Sequence, residues 1–196
     1  MALDDEDIRR LGRCVELART ALNAGDEPFG SILVDADGTV LFEDHNHVAG
    51  GGDATAHPEL AIAQWSAANL SPPDQRVAAT VYTSGEHCPM CAAAHAWVGL
   101  GRIVFAVAGE QLARWLAEWQ APLPPVAPLP ITTIAPTSDG RRPPRSWVSG
   151  RDEDSLRREV RAMSDWVRHA IWWHVYPLGF VGAFPATDHP VPVSTG

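Results

Sequence analysis

Two short stretches, His57-Pro58-Glu59 and Cys88-Pro89-Met90-Cys91, constrain this chain more than anything else in it. Each opens a run of helical periodicity. Proline suits the first position of a helix, because its missing N–H would have no partner there in any case. Cys88 and Cys91, three residues apart, share one helix face. The partial positive charge at a helix N-terminus favours their thiolates. A fold that brings this helix start against the one at His57 gathers an imidazole and two thiolates. Those are three of the four donors of a tetrahedral zinc site, and sites with an open fourth position are catalytic, whereas closed ones are structural.

Glu59, two residues beyond His57, can point away from the ligand face and carry a proton. One zinc ion, one water and one carboxylate suffice to replace an amidine-type C–NH₂ by C=O. Two other classes share parts of the pattern. A Cys-x-x-Cys redox protein would cycle a disulfide and leave His57 and Glu59 without a role. A non-catalytic zinc module would keep the ligands and not need Glu59. The chain has three cysteines, an odd number that argues against a disulfide framework. Cys14 lies beside an apolar helix stripe and reads as a small buried residue.

Charge narrows the substrate. All 15 cationic side chains are arginine. Residues 1–140 hold 7 of them against 18 acids, a net of −11, while residues 141–196 are at +2. A surface that grips a phosphate backbone needs clustered cations, so the charge favours a small neutral substrate over nucleic acid. No apolar run reaches the length of a membrane span, and the acidic N-terminus lacks the apolar core of a secretory signal. The expectation is a cytoplasmic protein.

The spacing of Ile8, Leu11, Val15, Ala18 and Leu22 predicts a helix over residues 5–24, ended by Gly25. Apolar runs at Phe29–Val34 and Thr39–Phe42 flank Asp35-Ala-Asp-Gly38 and predict a hairpin. Gly50–Asp53 reads as a flexible loop. A helix from His57, a strand over Thr80–Thr83, a helix over Pro89–Val98, a strand over Arg102–Val107 and a helix over Glu110–Trp119 follow. The proline-rich stretch from Ala121 to Pro130 reads as extended linker, and Ile131–Ile134 as an edge strand. This order predicts an α/β fold, a three-layer α/β/α sandwich with a mixed sheet.

Together, Glu27-Pro-Phe-Gly30, Asn46, His57-x-Glu59, Thr83-x-x-Glu86 and Cys88-Pro-Met-Cys91 with Ala94 and Trp97 resemble the cytidine and deoxycytidylate deaminase superfamily, on the branch of guanine deaminases and tRNA adenosine deaminases. The resemblance covers a domain of roughly residues 5–135. It implies a cytidine deaminase-like fold and a hydrolase of cyclic amidine C–N bonds that needs Zn²⁺. His57, Cys88 and Cys91 would bind the metal, and Glu59 would act as general acid and base. Asn46 would hydrogen-bond the substrate ring and Phe29 would lie beside it. The expected substrate is a free nucleobase such as guanine, an aminopyrimidine or an aminotriazine, with tRNA adenosine as the alternative. A homodimer is also implied.

Pro58 and His87 depart from the family pattern. Pro58 stands where a small residue is usual, and is geometrically benign. His87 stands where proline usually precedes the first cysteine, and is either a donor at the rim of the site or an exposed side chain. Glu86 is expected to support the cysteine loop, and His95 falls on the same helix face as Cys91.

Residues 136–196 form an additional tail. Asp152–Arg168 is helical in pattern. Trp172–Ala183 resembles the opening strand of an α-amylase-type barrel, yet these 12 residues cannot make a barrel of about 250. No carboxylate pair for glycoside hydrolysis accompanies it. The tail is either adventitious or a segment that docks a dimer or closes the pocket.

Overall fold

The computed structural model describes residues 3–118, 120, 124–136 and 140–141. Both expectations for the tail, the helix over Asp152–Arg168 and the strand near Trp172, fall outside these residues.

Helix α1 spans Asp5–Ala24. Asp4 caps it by accepting a bond from the Asp7 N–H, and the Asp7 carboxylate in turn accepts from the Asp4 N–H. Acids in the first turn also meet the positive end of the helix dipole. The helix stops at Gly25, whose φ of 92° suits glycine, and whose N–H reaches back to Ala21 and Leu22.

Next come β1 (Gly30–Val34), buried throughout, and β2 (Val40–His45). Asp35 Oδ1 accepts from Asp37 N and Thr39 N in the intervening turn. The chain then forms α2 (Val48–Gly51), α3 (Pro58–Asn69), α4 (Pro73–Ala78), β3 (Thr80–Gly85), α5 (Pro89–Val98), β4 (Arg102–Val107), α6 (Gly109–Glu118), α7 (Ile131–Ile134) and β5 (Gly140–Arg141).

The sheet order is β2-β1-β3-β4-β5. β1 runs antiparallel to both β2 and β3, and β3, β4 and β5 are parallel. Because side chains alternate across a strand, β1 divides its residues between two cores. Ile32 and Val34 join Leu11 of α1, Tyr82 and Val104 on one face. Leu33 joins Ile62 of α3, Val81, Ala92 of α5 and Ile103 on the other. This is the three-layer sandwich with a mixed sheet.

Three local expectations are corrected. Ile131–Ile134 is a helical turn, not an edge strand. Ala135 N bonds Ile131 O, and Ile131 and Ile134, three apart, both meet the second core. A strand would have put them on opposite faces. The edge position belongs instead to Gly140–Arg141, beside Ile103 and Val104. Part of the Gly50–Asp53 loop belongs to the turn α2, where Gly51 N bonds His47 O and Gly50 N donates to the buried Asp26 carboxylate. Helix α4 was not expected from the sequence. Its Arg76 secures it by donating to the Val98 and Leu70 carbonyls.

Candidate active site

His57 is the N-cap of α3 and Cys88 the N-cap of α5, each followed by proline at the first helical position. Neither side chain caps its own helix, so both are free to turn toward a common point. Cys91 follows one turn into α5 and is buried. His57 Nδ1 lies 3.7 Å from each sulfur, and the sulfurs are 3.5 Å apart.

Zinc bonds of about 2.0 Å to nitrogen and 2.3 Å to sulfur, at tetrahedral angles, place donors about 3.5–3.8 Å apart. The triangle therefore fits that ion in size, and its one imidazole and two thiols fit it in donor type. It is the one such cluster among the described residues. Electrostatics agree: the bonds from Cys91 and then His57 push the Cys88 thiol down to about 4. The Cys88 sulfur and burial push Cys91 up.

Glu59, in the first turn of α3, is 5% exposed. Its two oxygens have different surroundings. Oε1 accepts from Thr83 Oγ1 at 2.9 Å and lies 3.2 Å from Ser31 Oγ. Ser31 in turn donates to Thr83 Oγ1 at 2.8 Å. Ser31 and Thr83 are direct partners across β1 and β3, so the sheet itself sets this hydroxyl pair under α3. Oε2 faces the cluster, 4.0 Å from Cys91 Sγ. Burial raises the Glu59 pKa above its ordinary 4.5, against the opposing hydrogen bond from Thr83.

A cavity of about 240 Å³ opens beside the cluster. His57, Cys88 and Pro89 line it, together with Glu27, Phe29, Glu86 and His87. Leu112 and Leu116 of α6 and Val126 and Leu129 of the proline-rich segment add apolar lining.

The cytidine and deoxycytidylate deaminase zinc-binding region matches residues 5–107. The chain belongs to this family. A probable cytosine deaminase of Schizosaccharomyces pombe is 32% identical over 126 residues, 63% of this chain and 74% of that one. The guanine deaminase of Bacillus subtilis is 39% identical over 88 residues, 44% of this chain and 55% of that one. A tRNA-specific adenosine deaminase is also among its relatives. The solved structure of a guanine deaminase from Nitrosomonas europaea shares the fold at 19% identity, with a TM-score of 0.53 over 84% of this chain and 87% of that one.

Within the family frame, the remaining expected residues fall in different places. Asn46 is fully buried at the end of β2. Its Oδ1 accepts from Val48 N, and its Nδ2 has no protein partner. It is not among the residues that wall the cavity. Phe29 does wall it, with its ring over Gly85 so closely that a Cβ there would sit 3.0 Å from the ring edge.

Glu86 acts as a strut. Its carboxylate accepts from Gly109 N at 2.7 Å and from Ile131 N at 2.9 Å, which ties the cysteine loop to the starts of α6 and α7. The reading of His87 as an exposed side chain is overturned, since it is 3% exposed and packs edge-on against His95, with ring centroids 5.3 Å apart. Burial lowers its pKa well below 6.5. His95 itself bonds the Gly101 carbonyl at 3.0 Å.

Sequence reasoning missed Ser31 as a partner of Glu59 and Glu27 as part of the cavity. A signal for the first was present: Ser31 is a lone hydroxyl in an apolar strand.

Proposed function

We propose that the domain of residues 5–135 is a zinc-dependent hydrolytic deaminase of a small nitrogen heterocycle that releases ammonia. His57, Cys88 and Cys91 would hold the ion, whose Lewis acidity lowers the pKa of water to about 7 in favourable sites. The observation that carries the reading is the division of labour in Glu59. One oxygen is anchored by the Ser31–Thr83 pair and the other faces the ligand triangle. A buried carboxylate with a raised pKa can take a proton from water and return it to a ring nitrogen or a leaving amine. Phe29, on the cavity wall, offers its ring to a flat heterocycle.

A free base is favoured over tRNA. The cavity is small beside typical ligand pockets of about 300–1,000 Å³, and residues 1–140 carry a net charge of −11. Among the described residues no helix is long and apolar enough to cross a membrane. A homodimer belongs to the same reading, and Trp97, 90% exposed on α5, is available to an interface. A monomer by light scattering that is fully active would refute that part.

The deciding experiment measures ammonia release by protein of known zinc content. Free bases, nucleosides, aminotriazines and tRNA are the substrates, and Glu59→Ala is the control. Release from a free heterocycle that Glu59→Ala abolishes without loss of zinc is the expected outcome. Near-normal turnover by Glu59→Ala would overturn the mechanism, and release from tRNA alone would overturn the substrate class.

A further inference from the structure

The cavity beside the metal cluster contains two polar side chains that neither the ligand set nor Glu59 accounts for. His87 is 3% exposed, it walls the cavity, and neither ring nitrogen has a hydrogen-bond partner in the protein. Burying a polar group without a partner is unfavourable, so an imidazole kept in this state needs an explanation. His95, which bonds the Gly101 carbonyl, touches the His87 ring by an edge contact.

Glu27 is the second. It lies in the loop between α1 and β1, is exposed, and lines the same cavity as His57 and Cys88. Glu86, the other acid lining the cavity, is already engaged by the Gly109 and Ile131 N–H groups. The polar groups left for a ligand are thus one imidazole, which can donate an N–H, and one carboxylate, which can only accept. Around them stand the apolar side chains of Phe29, Leu112 and Leu116.

We propose that His87 and Glu27 are specificity-determining residues that read a lactam on the substrate ring, His87 donating to the ring carbonyl and Glu27 accepting from the adjacent ring N–H. The proposal rests on the deaminase reading above and narrows its substrate class. It selects amino-substituted oxo-pyrimidines and oxo-purines with a free ring N–H. It disfavours aminotriazines without a carbonyl, and rings whose N–H is replaced by a sugar. The physical reason is an asymmetry: a site built to pair a polar group rejects the analogue lacking it far more strongly than an apolar pocket rejects a missing methylene.

The test pairs each lactam base with the analogue that lacks only the lactam: cytosine with 4-aminopyrimidine, and isocytosine with 2-aminopyrimidine. Binding is measured by calorimetry in the Glu59→Ala background, which removes turnover, with the zinc content of every variant determined. Adding His87→Leu is expected to weaken binding of the preferred lactam base roughly ten- to a hundredfold, the worth of one to two buried hydrogen bonds. The deoxo analogue should change less than threefold, so that the preference collapses. His87→Gln should restore most of it. Glu27→Leu changes a residue of the loop between α1 and β1, outside the cysteine motif in sequence, so it gives a second reading should His87→Leu disturb the metal. It is expected to reduce the same preference about tenfold.

Equal weakening of base and analogue, an unchanged preference in both variants, or no binding of any of the four rings would overturn the proposal. Ammonia release by the wild type is scored separately. A lactam base that binds with the predicted preference but is not deaminated would refute the deaminase reading and leave the recognition standing.

Discussion

Replacing Thr83 by valine removes one hydroxyl from under the Glu59 carboxylate while keeping the branched shape of the side chain. Thr83 Oγ1 donates to Oε1 at 2.9 Å, and the carboxylate is 5% exposed, so water cannot readily take its place. A hydrogen bond to a charged group contributes about 1.5–3 kcal/mol. The full loss will not appear in Thr83→Val alone, because Ser31 Oγ already stands 3.2 Å from Oε1 and loses its bond to Thr83 in the same variant. It can donate to Glu59 instead. We expect Thr83→Val to lower kcat/KM about tenfold and Ser31→Ala about threefold. The double variant should lose more than the product of the two, about a hundredfold, since residues of one network couple. Each lost donor also removes stabilisation of the ionised carboxylate, and about 1.4 kcal/mol corresponds to one pKa unit. The acid limb of the kcat/KM profile should therefore move up by about a unit in the double variant. The assay is ammonia release across pH on zinc-quantified protein. A double variant within threefold of wild type with an unmoved acid limb would refute the anchoring role.

Two further predictions concern stability. Asp7 is buried and accepts from Tyr82 OH at 2.6 Å and Arg102 Nη2 at 2.8 Å. Burial alone would raise its pKa, but those bonds outweigh it and hold the carboxyl below its ordinary 3.8. A depressed carboxylate contributes stability above its unfolded pKa of about 3.9 and loses it as pH falls through the folded value. Asp7→Asn should thus cost stability at neutral pH and flatten the decline below about pH 4, as read by denaturant melts between pH 7 and 3. A parallel pair of curves would exclude the linkage. At Gly30, a Cβ would meet the Leu17 Cβ and the Cys14 carbonyl at 2.5 Å, where α1 crosses the start of β1. Gly30→Ala should destabilise the fold by about 1–3 kcal/mol, and an unchanged Tm would show that α1 can give way.

Much of this protein can be read along the chain because its signals are local. The cap and apolar stripe of α1, the hairpin turn at Asp35–Gly38, and proline directly after each ligand at Pro58 and Pro89 act within one or two turns of chain. They placed α1, α5 and β4 closely, and they singled out the three residues that lie within 4.8 Å of one another. Local pattern failed where distant neighbours decide. Ile131–Ile134 reads as a strand by its β-branched composition, but becomes a turn of helix because the second core takes both isoleucines on one side.

The finer architecture of the site belongs to the same non-local class. That Ser31 and Thr83 lie side by side beneath Glu59 depends on the register of two antiparallel strands 52 residues apart in sequence. That Glu86 is spent on Gly109 and Ile131 depends on where two later helices begin. That His87 is buried with both nitrogens unpaired, against the His95 ring and in a cavity that α6 also lines, is a product of residues far apart in the chain. The sequence alone determined which residues can hold a metal and move a proton, since that chemistry resides in the side chains themselves. Only the tertiary structure decided which of the remaining polar groups are engaged and which are left for a ligand, because a hydrogen bond is satisfied by what lies within about 3 Å in space, at any separation along the chain.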